Sequence, residues 1–93
     1  MREERPYLSS DGLDPALFGQ RLRHARRSRG LTLAQLGARV GRAPSVLSLL
    51  ENGRREPKLS MIEALAAALS VPTEELLRKQ PPSRRAQLAG PRG

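Results

Sequence analysis

Residues 32–53 read TLAQLGARVGRAPSVLSLLENG, and this stretch decides the fold. Thr32 is a good N-cap, because its hydroxyl can accept from an N–H of the first helical turn. Leu36 and Val40 follow as an inward stripe, and Gly41 ends the pattern. A second helix is predicted from about Pro44 to Glu51. Pro44 is preorganised for a first helical position, Leu47 and Leu50 point inward, and Asn52-Gly53 suits left-handed backbone. Two helices of about eight residues around a tight turn have helix-turn-helix spacing. Such a turn sets the helices at a steep angle, so the second projects from the body. The major groove of DNA, about 12 Å wide, admits one helix.

The surrounding chain reads as more short helices. Asp14 can cap a first helix with Pro15 at its start, and Phe18, Leu22 and Ala25 share one face before Gly30 stops it. A fourth helix begins near Ser60, with Ile62, Leu65, Ala66 and Leu69 on one side. Val71-Pro72-Thr73 interrupts it. Thr73 is then expected to cap a fifth helix whose first-turn Glu74 and Glu75 suit the positive end of the helix dipole, with Leu76 and Leu77 closing the core. No alternating strand pattern occurs. The expected organisation is all-α: a flexible N-terminal arm over 1–13, a compact five-helix domain over 14–78, and a flexible, basic, Pro-rich tail over 79–93.

Composition narrows the function. At 93 residues the chain holds one small domain. No Cys is present, so disulfides, zinc fingers and thiol nucleophiles are excluded. His24 alone cannot build a multi-histidine metal site, and one Tyr with one Phe cannot form a base-stacking platform. No residues stand at triad or metal spacing, so neither catalysis nor a cofactor is expected; Glu63, Glu74 and Glu75 read as helix-surface charges, and His24 as a surface residue. The longest apolar run is too short for a bilayer and the N-terminus lacks a signal-peptide stretch, so the expected location is cytoplasmic and nucleoid-associated.

The net charge of +8 is unevenly distributed. Residues 17–29 hold five Arg and no acid, residues 59–77 three acids and no base, and residues 78–93 five bases and no acid. Clustered cations point to a polyanionic partner. In the first helix, Arg21, Arg23, Arg27 and Arg29 could reach a phosphate backbone, but a solvated face is the default reading. Arg42 before the third helix, and Asn52, Arg54, Arg55 and Lys58 after it, flank the projected helix as candidate phosphate clamps, which set register rather than sequence.

From Leu22 to Leu77 the chain resembles the lambda-repressor, Cro and Xre type of DNA-binding domain. The resemblance is carried by Arg26, Gly30-Leu31-Thr32, Leu36, Gly41, Ser45, Leu47-Ser48, Leu50-Glu51-Asn52-Gly53, Arg55, Pro57 and the helix from Leu65 to Leu69. It implies a lambda-repressor-like fold with the third helix in the major groove. Pro44, Ser45, Ser48 and Leu49 would meet base edges, with Leu49 able to pack on a thymine methyl. Thr32 joins the phosphate contacts, and Arg26 with Glu51 would form a structural ion pair between the first and third helices. Leu49 could equally be an ordinary exposed Leu or be covered by another subunit.

The chain also departs from the family. Many members begin the second and third helices with Gln, a pair that orders a base contact; Leu33 and Pro44 stand here instead. Ala43 replaces a common capping Ser, a loss of about 1 kcal/mol partly offset by Pro44. The implied activity is a sequence-specific double-stranded DNA-binding regulator, a repressor acting as a homodimer on a two-fold operator, with no membrane partner. At about five phosphates per subunit its salt slope would be roughly −4 to −5. The alternatives are a DNA-binding antitoxin, with the tail contacting a protein partner, and a protein-binding adaptor using the same helices.

Overall fold

A computed structural model describes residues 13–78 of the chain. Five helices run through them: α1 (Pro15–Ser28), α2 (Leu33–Val40), α3 (Pro44–Glu51), α4 (Leu59–Leu69) and α5 (Thr73–Leu77). Each start and stop has a local cause. The Asp14 carboxylate accepts from the Ala16 N–H at 2.9 Å, with Pro15 in the first turn. Thr32 and Gln35 form a reciprocal capping box: the Thr32 hydroxyl accepts from the Gln35 N–H at 3.0 Å, and the Gln35 amide oxygen from the Thr32 N–H at 2.8 Å. Helix α2 ends on Gly41, whose φ of 70° suits glycine. Helix α3 ends in a Schellman motif. The Arg54 N–H donates to the Leu49 carbonyl and that of Gly53 to the Leu50 carbonyl, with Gly53 at φ 71°.

The apolar stripes converge on one core. Phe18, Leu22, Leu36, Leu47, Ile62, Leu65, Leu69 and Leu76 are fully buried within it, and Val40 and Leu77 pack half-buried at its margin. Helix α1 packs against α3 and α5, α2 against α3 and α4, and α4 against α5. Thus α1 and α2 together hold α3.

The structure corrects two expectations. Leu13, assigned to the flexible arm, is buried in the core. It precedes the Asp14 cap, with Phe18 at the fourth helical position, which is the spacing of a hydrophobic staple. Thr73 does not cap α5. Pro72 takes the extended cap conformation, so Thr73 is the first helical residue and no side chain caps the helix. Helix α4 starts at Leu59, near Ser60 as expected, with Lys58 as its cap residue. The remainder of the proposed arm (1–12) and the proposed tail (79–93) lie outside the described residues.

Two glycines permit close helix approach. A Cβ on Gly19 would run into the carbonyl oxygens of Leu50 and Glu51, at the end of α3. One on Gly37 would meet the Arg42 carbonyl, in the turn before α3. Both ends of α3 therefore press against backbone that no larger residue admits.

Candidate nucleic-acid interface

Helix α3 is eight residues long, with an inner and an outer face. Leu47, Leu50 and Glu51 are buried, Ser48 is half-buried, and Pro44, Ser45 and Leu49 are exposed. Leu49, at 40% exposure, is the single large apolar side chain left to solvent among the described residues. Upstream, the Arg42 N–H donates to the Gly37 carbonyl at 2.9 Å and closes the turn. Ala43 makes no side-chain cap, and Pro44 occupies the first turn.

A polar network fastens the other end of α3 to α1. Arg26 and Glu51 meet in a bidentate pair: Nε donates to Oε2 at 2.6 Å and Nη2 to Oε1 at 3.0 Å. The Arg26 Nη1 donates to the Leu31 carbonyl at 2.8 Å. The hydrogen bond to Glu51 is the main reason that Arg26 holds its proton more tightly than an ordinary Arg, against the opposing effect of burial. Arg23 adds a third donor to Glu51 through its Nε at 3.2 Å, and its Nη2 donates to the Asn52 amide oxygen at 3.1 Å. The Asn52 amide nitrogen donates to the Ser48 carbonyl at 2.8 Å and reaches the Ser48 hydroxyl at 3.4 Å. Asn52, read from sequence as a phosphate contact, thus has both ends of its amide engaged by protein.

Most of the α1 arginines are also engaged, which corrects their reading as a solvated face. Arg21 is 2% exposed, and its Nε donates to the Arg78 carbonyl at the end of α5. Arg29 donates to the Leu69 and Ser70 carbonyls, and Arg39 from α2 to that of Ala68. Those carbonyls form the negative end of α4, where a cation is favoured. Arg27 stays exposed.

The cations around α3 differ. Arg42, Arg54, Arg55 and Lys58 are exposed, and no protein group among the described residues bonds their side chains. Arg42, Arg55 and Lys58 rim a cleft of about 410 Å³, with Val46, Leu50, Pro57 and Met61 in its wall. Thr32 is exposed at the start of α2, its hydroxyl oxygen already accepting from Gln35. His24, Glu63 and Glu74 are exposed, and Glu75 pairs with Arg78 at 3.5 Å.

Among the described residues no cluster of His, Asp and Glu could hold a metal ion, and no helix is long and apolar enough to cross a membrane. Sequence reasoning missed Gly19, Gly37, Gln35 and the linking role of Arg23. Signals existed for three of them. A glycine inside a helix costs about 1 kcal/mol relative to Ala, so its presence hints at close approach. Gln35, three residues after Thr32, completes a capping-box pattern.

Comparison with known proteins places these features in a family. A family model described as "Helix-turn-helix domain" matches residues 17–80. The uncharacterized HTH-type transcriptional regulator RghRB of Bacillus subtilis (strain 168) is 48% identical over 61 residues, which is 64% of this chain and 44% of that protein. The HTH-type transcriptional repressor RghR of the same strain is 43% identical over 63 residues, 67% of this chain and 47% of that protein. The chain therefore spans about half the length of the curated relatives it matches. Among solved structures, the restriction-modification controller protein C.AhdI from Aeromonas hydrophila superposes with a TM-score of 0.66 at 38% identity, over 68% of this chain and 91% of that one. By sequence match, helix order and the α2–turn–α3 geometry, this chain belongs to the helix-turn-helix family of the lambda-repressor, Cro and Xre type.

Proposed function

We propose that this chain binds double-stranded DNA sequence-specifically through α3 and regulates transcription as a repressor, in the cytoplasm at the nucleoid. The observation that carries the reading is the division of charge. Helix α3 presents Pro44, Ser45 and Leu49 outward, between cations that no protein group among the described residues engages. In the major groove these residues and Ser48 would meet base edges, with Leu49 against a thymine methyl. Arg42, Arg54, Arg55 and Lys58 would clamp phosphates, and Thr32 would add its hydroxyl proton. Asn52 would act through the end of α3 rather than on phosphate. The partner is a two-fold operator bound by a homodimer, since one small reader gives modest affinity.

Enrichment of bound oligonucleotides from a random pool tests the reading. Replacing both Ser45→Ala and Leu49→Ala is expected to change the preferred sequence while nonspecific binding persists. Arg55→Ala is expected to weaken all sequences about equally and to reduce the salt slope by about 1. With four clamping cations the parental slope per subunit is about −4. Failure to retard any duplex at low salt, with the protein folded, contradicts the proposal.

A further inference from the structure

We infer that Leu49 reads the C5-methyl group of a pyrimidine, so that 5-methylcytosine replaces thymine at one base position and cytosine methylation there strengthens binding. The inference rests on the groove reading proposed above. It names the chemical group, and with it the class of modified duplex, that α3 recognises.

Helix α3 reads PSVLSLLE from Pro44 to Glu51. It contains no Arg, Lys, Asn or Gln, the side chains that pair with guanine or adenine through two hydrogen bonds. Its one charged side chain, Glu51, is buried and held by Arg26 and Arg23. Apart from Pro44 at its start, the outer side of α3 therefore offers bases two serine hydroxyls and Leu49. Ser45 and Leu49 stand four residues apart and share one side of the helix. A hydroxyl both donates and accepts, and every base offers it a partner in the major groove, so the serines discriminate little. Leu49, at 40% exposure, can neither donate nor accept. The major-groove group that rewards an aliphatic contact is the C5-methyl of thymine.

Leu49 is held in place to make that contact. Leu47 and Leu50 anchor the opposite side of α3 in the core. The Leu49 carbonyl accepts from the Arg54 N–H at 2.9 Å. Gly19 and Gly37 let backbone press on both ends of the helix. Helix α3 thus meets a duplex as a rigid rod with Leu49 outward.

An aliphatic side chain forms no hydrogen bond with the oxygen that thymine carries at C4, nor with the amino group that cytosine carries there. It gains from the methyl at C5, and 5-methylcytosine bears that methyl on the same ring atom as thymine. Methylation therefore creates the contact on a cytosine, and uracil, which lacks the methyl, removes it from a thymine.

The test uses the full 93-residue chain and duplexes carrying its motif enriched from a random pool. Uracil is placed at each thymine in turn. At the position where binding weakens, cytosine and 5-methylcytosine are then compared. The parent is expected to favour thymine over uracil, and 5-methylcytosine over cytosine, by the same factor of about four, the scale of one buried methyl group. Leu49→Ala is expected to bring both ratios to about one, and Leu49→Met, which keeps an apolar side chain of similar reach, to retain them. Leu49 is exposed, so its truncation leaves the core intact.

If the parent enriches a motif but binds every uracil duplex as it binds thymine, the methyl reading is overturned while the groove reading stands. A uracil effect that persists in Leu49→Ala assigns the methyl to another residue and overturns it equally. A change of oligomeric state in Leu49→Ala by light scattering, with both ratios kept, places Leu49 against another subunit and also overturns it. If the parent enriches no motif, both readings fall together.

Discussion

The arginines of α1 and the cations around α3 are chemically alike and differ in what surrounds them. In α1 and at its C-cap, Arg21, Arg23, Arg26 and Arg29 each find a carbonyl or carboxylate of their own protein. Around α3, Arg42, Arg54, Arg55 and Lys58 find none among the described residues. The first group joins helices, and the second stays exposed. A basic stretch therefore predicts a polyanionic partner only after the negative helix ends and buried carboxylates of the same fold have taken their share.

This contrast can be broken or sharpened by substitution. The largest effect is expected at the joining pair. Glu51→Ala strips buried Arg26 of its carboxylate and should cost about 3–5 kcal/mol in denaturant unfolding, and Arg26→Ala somewhat less, because Arg23 still donates to Glu51. Because the folded-state pKa of Arg26 is raised, its contribution is present at every pH below the ordinary Arg value and is lost only above it. The Arg26→Ala penalty should accordingly be the same at about pH 7 and about pH 10. Next comes Gly19→Ala, which forces the end of α3 away from α1, at about 1–3 kcal/mol by the same measurement. Arg29→Ala removes a cation from the end of α4 and should cost about 1 kcal/mol. At the other extreme, Arg42→Ala and Arg55→Ala should move stability by less than about 0.5 kcal/mol while weakening duplex binding. A large loss of stability at Arg55, or none at Arg29, would erase the distinction between the two groups.

An effect of opposite sign concerns the end of α4. Ser70 holds a φ of 59°, a left-handed backbone that glycine adopts without strain. Ser70→Gly is expected to stabilise the domain by about 1 kcal/mol, read as a raised Tm.

The helices themselves were legible because their signals are local. Asp14-Pro15, Thr32, Gly41, Pro44 and Asn52-Gly53 each set a boundary through the backbone of a few neighbouring residues, and the leucine spacing identifies the inner faces. What escaped depends on contacts distant in the chain. The burial of Arg21 requires the carbonyl of Arg78, 57 residues on. Gly19 is needed because of Leu50 and Glu51, which no local pattern reveals. Leu13 stands ahead of Asp14-Pro15, outside any periodic run, and only its staple spacing to Phe18 marks it as core. At the candidate site the positions flanking α3 were legible from charge and resemblance. The engagement of Asn52 was not, because it depends on Arg23 crossing from another helix.

Helix α3 is proposed to lie in the major groove. Dimethyl sulfate interference on an enriched duplex reads this directly, since the reagent methylates guanine N7 in the major groove and adenine N3 in the minor groove. Interference at guanine N7 within each half-site, with adenine N3 silent there, is the expected result. Interference confined to adenine N3 would contradict it.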